Sequence, residues 1–160
     1  MKEHGKKRRE VPYWKNQEKP KKGELYTDPL FPPNMNSILG LDQNGKPIDS
    51  KAYKENAKEI KKDEIEFRRA IDIFGSKYKL FSETIDMEYV IQGSISDCYF
   101  LSSIANLCQF PGLIEGLFKT KEMNRDGYYK IYFHIDGRKQ IVIVDDYFPV
   151  YKKNKWPCFA

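Results

Sequence analysis

The segment Gln92-Gly93-Ser94-Ile95-Ser96-Asp97-Cys98-Tyr99-Phe100-Leu101 carries the residue types of a nucleophilic site. Cys98 falls where an apolar helix is expected to begin, at Ser96 or Asp97. In the first turn of a helix the unpaired backbone N–H groups and the positive end of the macrodipole favour a thiolate over a thiol. The thiolate is the species that attacks a peptide carbonyl. Gln92 stands six residues before the thiol, where its side-chain amide and the backbone N–H of Cys98 could together hold an oxyanion. Gly93 lets the chain turn tightly, and Ser94 or Ser96 is the expected N-cap. Asp97 opposes thiolate formation if it faces the sulfur, so it is expected to turn away onto backbone or a basic group. Spacing alone leaves the ordinary alternative open, a cysteine that is a small buried hydrophobe. Cys108 reads that way, and Cys158 has no context in the sequence.

The elements that must position these residues are partly legible. Leu101, Ile104, Ala105 and Cys108 follow helical spacing, with Phe100 and Leu107 widening the stripe, which predicts a buried helix. Gln109-Phe110-Pro111-Gly112 breaks it, and a second helix is expected from Pro111 with Leu113, Ile114, Leu117 and Phe118 inward. After Gly127 the period becomes two. Tyr129, Ile131, Phe133 and Ile135 share one strand face, and Tyr128, Lys130, Tyr132 and His134 share the other. Asp136-Gly137 is a hairpin turn, and residues 140–144 return as the partner strand. Helices followed by a hairpin, without βαβ alternation, predict an α+β layout. Upstream, the prolines of Tyr26-Thr27-Asp28-Pro29-Leu30-Phe31-Pro32-Pro33 predict an extended segment across a core. Residues from Asp49 to about Phe67 suggest a charge-dense surface helix, and residues 66–90 read as irregular structure.

The 160 residues suffice for one compact domain. The charge is uneven: residues 1–22 carry nine Lys or Arg against three Glu, whereas the remainder is nearly neutral. The basic character therefore belongs to a leader, read as a disordered tail over 1–24. Lys6-Lys7-Arg8-Arg9 could touch nucleic acid, anionic lipid or an import receptor, but a solvated tail is the expected reading and no nucleic-acid partner is expected. No stretch approaches the ~20 apolar residues of a membrane span. The N-terminus lacks the apolar region of a secretory signal. Three cysteines with no metal spacing predict a reducing, intracellular (cytoplasmic) setting with neither disulfides nor zinc.

The Cys98 segment resembles the active-site segment of the calpain family of cysteine proteases, commonly Gln-Gly-x-Leu-Gly-Asp-Cys-Trp-Phe-Leu. It also parallels papain, from which Asp97 separates it. Asp28-Pro29-Leu30-Phe31-Pro32-Pro33 looks like the opening of the calpain core. Phe67-Arg68-Arg69-Ala70-Ile71-Asp72-Ile73-Phe74 is similar to the basic segment ahead of the active site. Val144-Asp145-Asp146-Tyr147-Phe148-Pro149-Val150 is similar to the family's Val-Asp-Asp hairpin exit. The resemblance runs in order over about residues 25–155. Ser96 replaces the usual Gly and Tyr99 the usual Trp.

What the resemblance implies is a papain-like first lobe over residues 25–160, a helical subdomain with an antiparallel hairpin, incomplete without a second lobe. It implies an intracellular cysteine-type endopeptidase acting on protein substrates, with Cys98 as nucleophile and Gln92 as oxyanion donor. Calcium is possible by resemblance, but the position nine residues before the Cys, a carboxylate in conventional calpains, is Tyr89, with Glu88 adjacent. No metal site is therefore expected in this chain. The base is also missing. His4 lies in the tail and His134 on a half-exposed strand face, whereas calpains take the His and its orienting Asn from the second lobe. The alternative is a non-catalytic calpain-like protein used for binding or regulation; retention of both Cys98 and Gln92 favours the enzyme.

Overall fold

A computed structural model of the chain describes residues 20–21, 23–40, 64–93, 97–135 and 137–158. Within these, the chain forms a short helix α1 (Met35–Leu39), strand β1 (Ile65–Arg69) and, directly after it, helix α2 (Ala70–Phe74). A 3-10 turn (Met87–Tyr89) precedes helices α3 (Cys98–Cys108) and α4 (Leu113–Leu117). Strands β2 (Tyr129–Ile135), β3 (Arg138–Val144) and β4 (Tyr147–Tyr151) complete the order. Both sheets are antiparallel pairs, β1 with β4 and β2 with β3. The layout is α+β, as the order of periodicities predicts.

The β2–β3 hairpin forms in the expected place. Tyr129 pairs with Val144 and Ile135 with Arg138, so the register follows the alternation of the two strands. The extended N-terminal segment is also present, with Tyr26 and Asp28 buried. It enters α1 through Asn34, whose side chain accepts from the N–H of Asn36 at 2.9 Å.

Three expectations need correction. Residues 66–90 are not irregular throughout, since β1, α2 and the 3-10 turn fall there. Ile65 and Phe67 belong to β1 and not to a surface helix; the rest of that expected helix, over 49–63, lies outside the described residues, as does the tail over 1–19. The second helix is shorter than expected: Gly112 precedes it, and Leu113 is exposed.

The densest part of the molecule joins β1 to β4. Ile65 faces Tyr151 and Arg69 faces Tyr147 across the pair, and Val150 is fully buried. Arg69 is buried yet charged, which requires partners. One guanidinium nitrogen meets the carboxylate of Asp146, the other donates to the carbonyl of Tyr26 at 2.8 Å, and the group lies 4.2 Å over the ring of Tyr147. The N–H of Ala70 donates to the Asp146 carbonyl at 2.9 Å. Asp145 is held from both sides by the N–H groups of Asp28 at 2.8 Å and Tyr147 at 3.1 Å. Burial still raises its carboxyl above the usual range. Gly127 closes against this cluster with φ +64°, and a Cβ there would come within 2.7 Å of Asp146 Oδ1, so no larger residue fits. Cys158 does have a structural place. It packs with Ile65, Met35, Ile38 and Tyr151, its N–H donates to Pro149 O at 2.9 Å, and burial pushes its thiol up to about 11.

Candidate active site

Cys98 is the first residue of α3, preceded by Asp97 at the N-cap position. The Asp97 carbonyl accepts from the N–H groups of Phe100 at 2.8 Å and Leu101 at 3.1 Å, which fixes the start of the helix. The thiol is exposed, so it is reachable by a substrate, and its own N–H lies in the turn that has no intrahelical acceptor. Ser94 and Ser96, the expected caps, lie outside the described residues; the position is filled by Asp97, and its side chain makes no capping bond.

Asp97 turns elsewhere. The side-chain amide of Gln92 donates through Nε2 to Asp97 Oδ1 at 2.7 Å. The expectation that Asp97 finds backbone or a basic group is thus corrected: its partner is the amide expected to serve the oxyanion. One contact therefore links the two residues singled out around the thiol, and it brings the Gln92 nitrogen beside the residue that precedes Cys98.

The helix itself is less buried than its stripe predicts. Leu101, Ile104, Ala105, Leu107 and Cys108 are its more sheltered positions, so the period is right, but no residue of α3 is buried. Tyr99 is 78% exposed, and Ile91 and Tyr89, flanking Gln92, are 69% and 66% exposed. The helix leans on α4 and on the 3-10 turn, neither long enough to cover it.

His134 is exposed near the turn end of β2 and faces Lys139 across the hairpin. The Lys139 ammonium lies over the ring of Tyr132, 3.7 Å from its centroid, and His134 stands on the hairpin and not on the helix that carries Cys98. As for a cation, Tyr89 brings no carboxylate, and Asp86 Oδ1 is occupied by the N–H of Glu88 at 3.1 Å. Among the described residues no three acidic, His or Cys side chains converge where a metal ion could be held. A cleft of about 570 Å³ lies between the two sheets, lined in part by Phe74, Tyr78, Phe118 and Phe148; neither Cys98 nor Gln92 borders it.

The model of the calpain family of cysteine proteases matches residues 26–159. The chain belongs to that family. It is 34% identical over 142 residues to the calpain-type cysteine protease DEK1 of Zea mays, covering 87% of this chain and 6% of that protein. It is 33% identical over 132 residues to calpain-12 of Homo sapiens, with 80% and 16% covered. The calpain-1 catalytic subunit of Bos taurus is 29% identical over 132 residues, again with 80% and 16% covered. The chain thus spans only a small part of the length of these relatives. The matched stretch of the calpain family takes in both sheets, the Arg69–Asp146 pair and the whole of α3. Among the described residues no helix is long and apolar enough to cross a membrane.

Sequence reasoning placed Cys98, Gln92 and the start of α3. It missed Arg69 and Asp146 as partners, although both lie in segments quoted for the resemblance. The signal was an Arg68-Arg69 pair and an Asp145-Asp146 pair beside apolar runs, and sequence alone does not say which Arg meets which Asp.

Proposed function

We propose that this chain carries the nucleophile half of a cysteine-type endopeptidase acting on protein substrates. The observation that supports this most is the arrangement at α3, an exposed thiol at the first helical position with the Gln92 amide anchored to the Asp97 that precedes it. Cys98 Sγ attacks the scissile carbonyl and forms an acyl-enzyme, which water then hydrolyses. The developing oxyanion receives hydrogen bonds from the Gln92 amide and the Cys98 N–H. The imidazole that takes the thiol proton and returns it to the leaving amine comes from a second lobe, His134 being held in the β2–β3 hairpin opposite Lys139. Three cysteines without disulfide bonds fit an intracellular, reducing setting.

The test is peptide cleavage by the protein that unites this segment with the second lobe. Cys98→Ala is expected to abolish turnover, and Gln92→Ala to lower kcat by about 10²–10³-fold with a smaller change in KM. Turnover that survives Cys98→Ala overturns the nucleophile assignment. Residues 1–160 by themselves are expected to show no turnover; cleavage by this chain alone would mean that it supplies its own base.

A further inference from the structure

An Asp at an N-cap ordinarily turns its carboxylate onto the N–H groups of the first turn, a contact worth about 1 kcal/mol to the helix. Asp97 occupies that position and makes no such bond. Its backbone is pinned to the helix through the bonds from Phe100 and Leu101, while its side chain reaches five residues back to Gln92. Local stability is set aside for a contact with a residue of the site, which is where departures from local rules concentrate.

The geometry points to Asp97 as the residue that positions Gln92 for the oxyanion, an inference that rests on the oxyanion role proposed above. A glutamine amide has two ends of similar shape and opposite character, a donating nitrogen and an accepting oxygen. A carboxylate only accepts, so Asp97 selects the nitrogen end and holds it beside the residue preceding Cys98. With that anchor gone, the amide rotates, and its oxygen can face the thiol and repel the charge that develops there.

The test uses residues 1–160 and two probes of the same sulfur. A short peptide aldehyde, ¹³C-labelled at its carbonyl, forms a hemithioacetal: Cys98 Sγ bonds to the carbonyl carbon, the π pair moves to oxygen, and that oxygen takes up the proton the thiol gives to water. Its adduct oxygen stands where the oxyanion would. Iodoacetamide alkylates the thiol with loss of iodide and creates no such oxygen, so it reads thiolate supply alone.

Asp97→Ala is expected to weaken the aldehyde adduct about tenfold relative to the alkylation rate, a hydrogen bond to a charged group being lost. Asp97→Asn is expected to restore part of it, because the Asn oxygen still accepts from Nε2. In a Gln92→Ala background, Asp97→Ala is expected to add nothing. The side-chain amide protons of Gln92 are expected to shift in the ¹⁵N spectrum of Asp97→Ala while the backbone spectrum elsewhere stays unchanged. Equal weakening with and without Gln92, or a loss that merely follows the alkylation rate, overturns the positioning role. So does a full-strength adduct in Asp97→Ala when Gln92→Ala still weakens it, and in that case the oxyanion reading survives. If Gln92→Ala leaves the adduct intact while Cys98→Ala abolishes it, the oxyanion reading fails first and takes the inference with it. Absence of any adduct on the unsubstituted chain removes both.

Discussion

The Arg69 cluster and the Cys98 helix are built in opposite ways. Around Arg69 the chain buries a cation, an acid, a backbone turn and the apolar Val150 and Ala70, and each polar group named there has a partner within the protein. Along α3 the apolar side chains keep their helical period but stay partly or largely exposed. The first region holds the shape; the second carries the thiol for which the nucleophile role is proposed. Substitutions in the two regions are therefore expected to register in different measurements.

The largest expected effect comes from breaking the first region. Arg69→Leu leaves Asp146 buried without its cation, and removing one partner of a buried pair costs about 3–5 kcal/mol. Urea denaturation followed by far-UV circular dichroism reads it, and a loss below about 1 kcal/mol would show that the cluster does not hold the fold together. Arg69→Leu paired with Asp146→Leu is expected to recover much of the loss, since two apolar groups of similar size need no desolvation.

A smaller effect is expected on the alkaline side. The Cys158 thiol is raised to about 11 from an ordinary value near 9, so the folded state holds its proton more tightly than the unfolded state does. Its contribution is complete below about pH 9 and is lost as pH rises toward about 11. Denaturation midpoints are expected to fall across that window, and less steeply in Cys158→Ala. An identical slope in both proteins would place the titrating group elsewhere.

The smallest effect is expected in the second region. Tyr99→Ser on α3 removes a 78% exposed ring and is expected to change stability by no more than about 0.5 kcal/mol. A larger loss would mean that α3 is packed as tightly as the Arg69 cluster, and the contrast between the two regions would collapse. Hydrogen exchange sharpens the same point, with amides of β1 and β4 expected to outlast those of α3.

How much of this could be read from the residues follows the same division. The β2–β3 hairpin announces itself, because its two strands alternate over consecutive residues and the sequence sets an Asp-Gly turn signal between them. The start of α3 and its period were legible for the same local reason. The β1–β4 pair was not, because its strands lie far apart in the chain, β1 contains Glu66, Arg68 and Arg69, and β4 contains Pro149. Pro149 is tolerated because β4 ends its sheet, and its carbonyl still serves the N–H of Cys158. The depth of α3 was misjudged because apolar periodicity reports which face turns inward and not how much protein lies over it. Asp97 was singled out for its charge, yet the Gln92 contact depends on a side-chain direction that spacing does not carry.

Arg69 ties together segments that leave the ribosome at very different times. Its guanidinium closes onto Tyr26, 43 residues earlier, and onto Asp146, 77 residues later. At about 5–20 residues per second, Arg69 waits about 4–15 s for its acid during synthesis. Through that interval the basic strand β1 has neither β4 nor Asp146, and Cys98 is made 48 residues before Asp146. The nascent chain therefore carries Cys98 before it has the framework to place it.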